Sequence, residues 1–422
     1  MNQQSASTPK GWCPGALQPM PSGDGLIVRV RPRTGAISLG AVIAIAEAAR
    51  RCGNGHIDLT RRANLQIRGV STTTLPALHD VLAPHGLLDR TPEAEAVRNV
   101  VLSPLSGVDP DEVCDMRPLA RALEAALMTD TDLWRLPAKF GFVLDGGGSL
   151  SLDVLRADIR LKAVRNGRDV VIVLGLDRLD DARSFAQSCP GDAPAAAIAM
   201  AKSYLEQHRP LAPLQEPAPH PDPLPVRTGR GNAARPRSWL GVTRLPDGCE
   251  VIGIAAAFGR LEADQLGALA DAAIDAGCDE LRLSPWRTLF LIAPDTAAAV
   301  RLLQSAASRG LIVDAADPLI GIDACPGAPA CASATLDTRS SARALARLRP
   351  ALTGVRSIHV SGCAKGCARS APADLVLSAR GERFTVLRDA RADAAGDLSI
   401  GPDEVAELPR LLREMQKEPC RG

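Results

Sequence analysis

The apolar positions of this 422-residue chain form strand-sized and helix-sized stretches that follow one another in the same order twice. In each half an apolar strand precedes a helix rich in Ala and Leu, and an arginine-led alternating strand and a second helix follow. The first half has these at residues 26–30, 39–51, 62–68 and 74–82, and the second half at residues 239–243, 263–276, 287–292 and 297–308. Gly53 and Gly277 are predicted to end the first helix of each half in the left-handed conformation.

The later part of each half also repeats. A strand, a glycine turn and a returning strand are predicted at residues 158–174 and again at residues 374–387, and a helix follows at 195–206 and at 403–416. Agreement of order over about 190 residues indicates an internal duplication. The predicted fold class is α+β, with two small α+β units alternating with two larger α/β units.

A stretch rich in proline, residues 209–237, separates the halves and is predicted to be an extended linker. The predicted domains are an N-terminal segment (1–18), a first small unit (19–90), a first larger unit (91–208), the linker, a second small unit (238–312) and a second larger unit (313–422).

Composition excludes several classes of function. A net charge of +1 and an aromatic content of 3% argue against binding of nucleic acid. The first 19 residues are polar and lack the apolar core of a signal peptide, and no apolar run reaches membrane-spanning length. We therefore expect a cytoplasmic protein without a membrane partner, in a compartment where thiols stay reduced.

Four cysteines in the last quarter carry the main chemical signal. They form two close pairs, Cys325-Pro-Gly-Ala-Pro-Ala-Cys331 and Cys363-Ala-Lys-Gly-Cys367, in loops rich in Gly and Pro. Thiolates hold the irons of iron–sulfur clusters, and small residues let backbone N–H groups approach the sulfides. Four thiolates also suit zinc, although a five-residue spacer with two prolines is less usual there. The spacing favours an iron–sulfur cluster and leaves zinc as the alternative. The other cysteines are scattered singly and are interpreted as packing residues: Cys13, Cys52, Cys114, Cys189, Cys249, Cys278 and Cys420.

The duplication carries thiols in one copy only. Laid beside residues 361–367 of the second half, the first half offers residues 136–141, which lack cysteine but contain Lys139. We therefore expect one half to hold the cluster and the other to supply positive charge across a shared cleft.

Four motifs together resemble the sulfite/nitrite reductase superfamily. They are Arg62-Ala-Asn-Leu-Gln-Ile-Arg-Gly69, Leu136-Pro-Ala-Lys-Phe140, Ala324-Cys-Pro-Gly327 and Val360-Ser-Gly-Cys-Ala-Lys-Gly-Cys367. The resemblance spans nearly the whole chain. It implies ferredoxin-like half domains alternating with cluster and tetrapyrrole domains. It also implies that Cys325, Cys331, Cys363 and Cys367 bind a [4Fe–4S] cluster, with Cys367 beside the tetrapyrrole.

Within this superfamily, residues 13–25 are similar to the precorrin-3B synthase branch of aerobic cobalamin biosynthesis. That resemblance implies a monooxygenase that hydroxylates the tetrapyrrole precorrin-3A at C20 and closes a γ-lactone. It also implies O₂, electrons from NAD(P)H delivered by a reductase, and a mononuclear non-haem iron. The alternatives are a siroheme-dependent sulfite or nitrite reductase and a non-catalytic carrier. Gly141 stands where the reductases have a second basic residue, which weakens the reductase alternative.

A precorrin carries many carboxylates, so its site needs several cations, preferably arginines. Arg62 and Arg68, an even number of residues apart, are predicted to share a strand face. Arg62 and Lys139 are the catalytic candidates. The predicted substrate-binding residues are Arg31, Arg33, Arg62, Asn64, Arg68, Lys139, Lys365 and Arg369, and the same loops also offer Gln66, Arg160 and Arg287.

The ligands of the non-haem iron are not identified by the sequence. A facial triad uses two histidines and a carboxylate. His56-Ile-Asp58 has a spacing that places both side chains on one strand face, and His359 precedes the second cysteine loop. For both histidines the more ordinary alternatives are a solvated residue and a core residue.

Overall fold

The computed structural model describes residues 13–176, 186–207 and 239–417. The predicted linker at 209–237 lies outside these residues. The first half contains β1 (Met20–Ser22), β2 (Gly25–Val30), β3 (Ala36–Ser38), α1 (Leu39–Cys52), β4 (His56–Leu59), β5 (Leu65–Val70), α2 (Leu75–Leu82), α3 (Pro92–Val97), β6 (Val100–Leu102), α4 (Arg117–Thr129), β7 (Phe142–Asp145), β8 (Ile159–Asn166), β9 (Asp169–Leu176), β10 (Ala186–Ser188) and α5 (Ala193–Gln207).

The second half repeats this series of elements, except that α3 has no counterpart among its described residues. It contains β11 (Gly241–Arg244), β12 (Glu250–Ala255), β13 (Arg260–Glu262), α6 (Ala263–Asp275), β14 (Glu280–Leu283), β15 (Thr288–Ala293), α7 (Thr296–Ser308), β16 (Ile322–Ala324), α8 (Thr338–Arg347), β17 (Ile358–Ser361), β18 (Ala373–Arg380), β19 (Arg383–Ala390), β20 (Ser399–Ile400) and α9 (Leu408–Lys417).

These strands form four five-stranded sheets, two in each half. The two antiparallel sheets have the orders β1-β2-β5-β4-β13 and β11-β12-β15-β14-β3, and the two mixed sheets have the orders β10-β9-β8-β7-β6 and β16-β17-β18-β19-β20. The predicted α+β class with four alternating units is confirmed. None of the helices in the described part of the chain combines the length and apolar content of a membrane span.

The two antiparallel sheets exchange their edge strands. β13 of the second half pairs with β4, with Leu261 opposite Ile57, and β3 of the first half pairs with β14, with Ile37 opposite Leu281. Alternate residues of these strands point into one core, which also takes the apolar faces of α1 and α6. Because each sheet is completed by a strand of the other half, neither antiparallel unit has its full set of strands alone.

Backbone geometry identifies equivalent positions in the two halves. Thr34 and Ala63 have positive φ angles of 52° and 51°, and Phe258 and Arg287, with the same spacing, have 59° and 61°. On this alignment β2 corresponds to β12. The sequence comparison, which set residues 239–243 against β2, was wrong, because the strand there, β11, corresponds to β1. Arg287 likewise corresponds to Ala63 rather than to Arg62.

The prediction of a left-handed glycine at the end of each first helix was wrong for Gly53, which is extended (φ −125°). It was right for Gly277, which has φ 77°.

The two loops that the sequence comparison aligned across the halves are not equivalent. Lys139 lies before β7, whereas Cys363 and Cys367 lie after β17, the strand that corresponds to β7. Structurally, the first-half counterpart of the second cysteine loop is the glycine-rich segment after β7.

We predict that Leu261→Ala destabilises both antiparallel units together. Leu261 is fully buried on the exchanged strand β13, so its truncation leaves a cavity in the shared core. Loss of about 2–5 kcal/mol of unfolding free energy is expected in urea titrations. Val154→Ala is the control, because Val154 is 67% exposed and its truncation costs within about 0.5 kcal/mol. Equal stabilities of the two variants would contradict a shared core.

Candidate functional site

Both cysteine loops leave the same edge of the second mixed sheet. β16 and β17 are parallel neighbours, with Ile322 opposite Ile358, so their carboxyl ends lie side by side. Cys325 directly follows β16, and Cys363 follows β17 after one glycine. The topology thus brings together two pairs that are far apart in sequence.

The loops approach each other at Cys325. The Gly362 N–H donates to Cys325 Sγ at 3.2 Å, and Thr338 Oγ1 lies 3.8 Å from the same sulfur. A Cβ added at Gly362 would lie only 2.6 Å from the Ala334 side chain. Glycine is required there because any larger residue would push the two loops apart. A backbone donor directed at a sulfur is the arrangement that a thiolate ligand to iron needs.

The other three thiols act electrostatically on Cys367. The Cys367 side chain reaches the surface, yet surrounding protein raises the pKa of its thiol by desolvation. Cys363, Cys325 and Cys331 raise this pKa further, whereas the Lys365 ammonium lowers it. Four sulfurs on two adjoining loops, with a cation beside Cys367 and a backbone donor beside Cys325, fit an iron–sulfur cluster as the donor set.

The first antiparallel sheet presents a polar face toward these loops. Arg29 and Asp58 lie on either side of Gln66, in register on β2, β4 and β5. Arg68 Nη2 and Ser22 Oγ both donate to the Ala330 carbonyl in the first cysteine loop, at 3.0 and 2.9 Å. The loop that carries Cys331 is therefore fixed directly over the edge of this polar face.

The duplicate sheet has an apolar surface at the corresponding positions. Gly253 and Phe290 replace Arg29 and Gln66 in the same register. Phe290 is buried in an apolar cluster with Leu105 and Leu150 from the first half. The two copies therefore share a backbone, but only the first keeps a polar surface next to thiols.

Asp58 joins three parts of the molecule. Its carboxylate accepts from Arg260 of β13 at 2.7 and 2.9 Å, and lies 3.5 Å from Arg68 and 3.4 Å from Arg339 of α8. Burial alone would raise the pKa of Asp58, but the Arg260 hydrogen bond and the charges of Arg339, Arg260 and Arg68 lower it to about 2. Asp58 therefore stays ionised, and it holds the second larger unit, which carries the four cysteines, against the first antiparallel sheet.

The structure brings Arg62 and Lys139 together. Arg62 Nη2 donates to the Lys139 carbonyl at 2.8 Å, while its Nη1 is buried with no partner in the described chain. Lys139 itself is exposed. Arg62 lies in the turn before β5, so the prediction that it shares a strand face with Arg68 was wrong, because Ala63 with its positive φ interrupts the strand.

Other predicted substrate residues are used in structural contacts. Arg31 is 2% exposed and donates to the carbonyls of Glu95, Ala96 and Pro14 and to the Asn99 side chain, and burial lowers its pKa to about 10. Arg33 pairs with Asp89 at 3.0 Å, and Arg68 pairs with Asp24 at 2.7 Å. The predicted role of Arg31, Arg33 and Arg68 in substrate binding therefore does not fit their contacts.

The remaining candidates occupy different surroundings. Asn64 is buried immediately before β5, and Lys365 is exposed beside Cys367. Arg369 pairs with Asp323 at 3.2 Å, beneath the second cysteine loop. Arg160 donates to the carbonyls of Leu152 and Leu155, away from the polar face.

Sequence reasoning missed two arginines. Burial lowers the pKa of Arg29, Arg62 lowers it further, and the Cys13 thiol opposes the shift; Arg29 Nε has no partner among the described residues. Arg339 Nε and Nη1 are also buried without partners in the described chain, and burial lowers its pKa to about 10. The sequence does contain a signal for Arg29, because this arginine interrupts the apolar strand Gly25–Val30. It contains none for Arg339, which lies in the first turn of an ordinary capped helix.

The candidate iron ligands do not come together. His56 Nδ1 contacts Glu262 at 2.9 Å, whereas the Asp58 carboxylate faces three guanidinium groups, which would repel a metal cation. His359 is fully buried, neither of its ring nitrogens has a partner in the described chain, and burial lowers its pKa to about 4. Within the described ranges, no three His, Cys, Asp or Glu side chains form a group that could hold a single metal ion.

We predict that Asp58→Asn lowers stability in a pH-dependent manner. The folded pKa of Asp58 is about 2, below the ordinary value of 3.8, so its contribution is complete above about pH 4 and is lost as the pH falls toward 2. The variant should lose about 2 kcal/mol at pH 6 in urea unfolding, and the difference from the wild type should narrow at pH 3. If the difference in stability between variant and wild type is the same at pH 6 and pH 3, the charge of Asp58 does not contribute to the contact between the second larger unit and the first antiparallel sheet.

Comparisons with known proteins agree with this architecture. Residues 18–85 match the nitrite/sulfite reductase ferredoxin-like half domain, and residues 93–250 match the nitrite and sulphite reductase 4Fe-4S domain. The structure is similar to that of the Mycobacterium tuberculosis NirA protein, with a TM-score of 0.67, 21% identity, and coverage of 94% of this chain and 82% of the other.

Two relatives place the chain more closely. It is 35% identical to a precorrin-3B synthase from Sinorhizobium sp over 97% of this chain and 90% of the relative. It is 29% identical to the chloroplastic ferredoxin–nitrite reductase of Zea mays, over 76% of this chain and 63% of that longer protein. The chain therefore belongs to the nitrite and sulfite reductase family of iron–sulfur oxidoreductases, within which it is similar to precorrin-3B synthase over nearly its whole length.

Proposed function

We propose that the chain catalyses the precorrin-3B synthase reaction, the hydroxylation of precorrin-3A at C20 with closure of a γ-lactone, in aerobic cobalamin biosynthesis. The observation that carries this proposal is a set of buried guanidinium donors without partners, on Arg29, Arg62 and Arg339, around a polar face covered by cysteine loops. Buried donors of this kind need acceptors, and the carboxylates of a tetrapyrrole supply them. Similarity to the Sinorhizobium enzyme over 97% of the chain supports the same activity.

Cys325, Cys331, Cys363 and Cys367 would hold a [4Fe–4S] cluster, which supplies single-electron transfer when bound. The chain contributes two features to this site. The Gly362 N–H donates to Cys325 Sγ, and the Lys365 charge lowers the pKa of the Cys367 thiol against the larger upward shift caused by desolvation. Both groups favour negative charge on a sulfur ligand, whereas the Thr338 hydroxyl donates to the Cys325 carbonyl and not to the sulfur.

Arg62 and Lys139 would bind and orient the substrate carboxylates. The Arg62 guanidinium is held by the Lys139 backbone carbonyl, which leaves Nη1 free to donate. Arg29, beside Arg62, adds a second buried cation to the same place. Two guanidinium groups can orient the carboxylates of a polyacid ring, and the exposed Lys139 side chain is a further candidate cation.

The reaction needs O₂ and two electrons, because one oxygen atom enters the substrate and the other leaves as water. We propose that reduced nicotinamide supplies these electrons through a separate reductase. The described residues offer no ligand set for the mononuclear non-haem iron expected from the sequence, so oxygen activation is not assigned to such an iron. An anaerobically purified, cluster-loaded protein should convert precorrin-3A, given reductant and O₂, into a product heavier by one oxygen atom. Persistent absence of product with an intact cluster would favour a non-catalytic carrier.

A siroheme-dependent sulfite or nitrite reductase is the second candidate, supported by the similarity to the maize nitrite reductase. Gly141 weakens this candidate because it provides no second cation beside Lys139; instead its N–H donates to Asp158 Oδ2 at 2.9 Å. The visible spectrum of the purified protein separates the two, since siroheme gives strong bands and a cluster alone gives a broad shoulder.

We predict that Cys367→Ser greatly reduces cluster assembly, because a hydroxyl is a poor substitute for a thiolate ligand. Iron and acid-labile sulfide per chain should both fall. Cys278→Ser is the control, since Cys278 lies in the core of the antiparallel sheets away from the loops. Unchanged iron and sulfide in the Cys367 variant would refute its role as a ligand.

We predict that Arg62→Ala weakens binding of precorrin-3A about tenfold or more while leaving the cluster content unchanged. Loss of a charge-assisted hydrogen bond to a carboxylate is the expected cause. Fluorescence or absorbance titration under anaerobic conditions measures the affinity. Arg301→Ala, on the exposed side of α7, is the matched control. Equal affinities of the two variants would exclude Arg62 from the substrate site.

A further inference from the structure

A cavity of about 260 Å³ lies where the second antiparallel sheet meets the start of β16. It is separate from the polar face of the first sheet. Apolar walls and charged groups both line it, and those used below are Phe258, Trp286, Ile320, Arg61, Arg287 and Asp323. None of these residues has a role in the function proposed above.

The cavity exists because two large side chains of the first half are missing from its duplicate. Arg31 corresponds to Ala255, since each lies three residues before the positive-φ residue Thr34 or Phe258. Asn99 corresponds to Gly321, since their carbonyls accept the same strand-to-strand hydrogen bond, from Phe142 and Ile358 respectively. In the first half the Arg31 guanidinium contacts the Asn99 side chain. In the second half Ala255 and Gly321 leave this volume empty and line the cavity.

The charge around the cavity is unbalanced. The Asp323 carboxylate is shared by three guanidinium groups, those of Arg61 at 2.9 Å, Arg287 at 3.6 Å and Arg369 at 3.2 Å. Arg287 Nε is buried without a partner in the described part of the chain. One carboxylate cannot satisfy three guanidinium groups, so the site has unused donors and a net positive charge.

The rest of the cavity is suited to a flat apolar group. Phe258 and Trp286 supply aromatic rings to its wall, and Ile320 adds aliphatic surface. Arg343 lies over the Phe258 ring, 5.4 Å from its centroid, and holds that ring in place. A cavity of about 150 Å³ holds benzene, so this volume accommodates an aromatic ring with an attached anionic group.

We propose that this cavity is a second ligand site, distinct from the tetrapyrrole site, which binds a small aromatic carboxylate. The ring lies against Phe258 and Trp286, and the carboxylate accepts from Arg287 and Arg61. Binding gives the unpaired Nε of Arg287 an acceptor and offsets the net positive charge around the cavity.

Calorimetry with the full-length, cluster-loaded protein tests this site, with benzoate as the probe. Benzoate should bind, and benzamide, which has the same shape without the charge, should bind at least tenfold more weakly. Inorganic phosphate, which has charge without a ring, should also bind at least tenfold more weakly. Benzoate that does not bind, or that binds no better than benzamide or phosphate, overturns the proposal.

Two variants locate the binding. Ala255→Leu fills the cavity without changing its charge, and Arg61→Gln removes a cation, so each should weaken benzoate binding at least fivefold. Arg301→Gln is the matched control and should leave the affinity unchanged. Ala255→Leu that keeps its unfolding temperature and its affinity for benzoate overturns the assignment. If that variant does not fold, unchanged affinity in Arg61→Gln has the same meaning. Neither test uses precorrin-3A or turnover, so the result is independent of the proposed enzyme activity.

Discussion

The ion network around Asp58 is the interaction on which the arrangement of the site depends. One buried carboxylate receives Arg260 from the exchanged strand, Arg68 from its own sheet and Arg339 from the unit that carries the cysteines. Each of these arginines comes from a different element, so the carboxylate fixes the relative position of three parts of the chain. Removal of one partner from such a buried group leaves charge uncompensated, and this makes the joint specific.

The equivalent contact in the other half of the duplicated molecule, between the second antiparallel sheet and the first larger unit, uses different side chains. Arg282 corresponds to Asp58 and lies beside Phe290 as Asp58 lies beside Gln66. Its guanidinium donates to the carbonyls of Pro104 and Ser106, in the loop that follows β6. Each antiparallel sheet therefore contacts the larger unit of the other half through this position. In one case that unit carries the thiols, and in the other it is part of an apolar interface.

Divergence between the halves explains why chemistry is confined to one copy. The first sheet keeps Arg29 and Gln66 on the face that the cysteine loops cover, and this leaves guanidinium donors for a polyanion. The second sheet has Gly253 and Phe290 there and buries them against Leu105. Ala255 and Gly321, at the positions of Arg31 and Asn99, likewise leave a cavity where the first half has a packed contact. Duplication preserved the backbone, and side-chain changes decided what each copy can bind.

The sequence by itself determined the duplication, the fold class, the order of elements and the four cysteines, because periodicity, glycine turns and ligand spacing are local properties. It also named Arg62 and Lys139 as candidates, and the structure places them in contact. Only the tertiary structure decided which arginines are available. Both Nη atoms of Arg31 and the Arg68 guanidinium are bonded to partners distant in sequence, although Arg31 Nε has no partner in the described chain. Arg29 and Arg339 also keep buried donors that are unpaired there. The position of Lys139 before its strand, and of the cysteines after theirs, was also invisible locally, because equivalence between halves is set by strand pairing. Whether a buried arginine has partners for all its donors depends on contacts between segments that are distant in sequence. No local sequence pattern encodes those contacts.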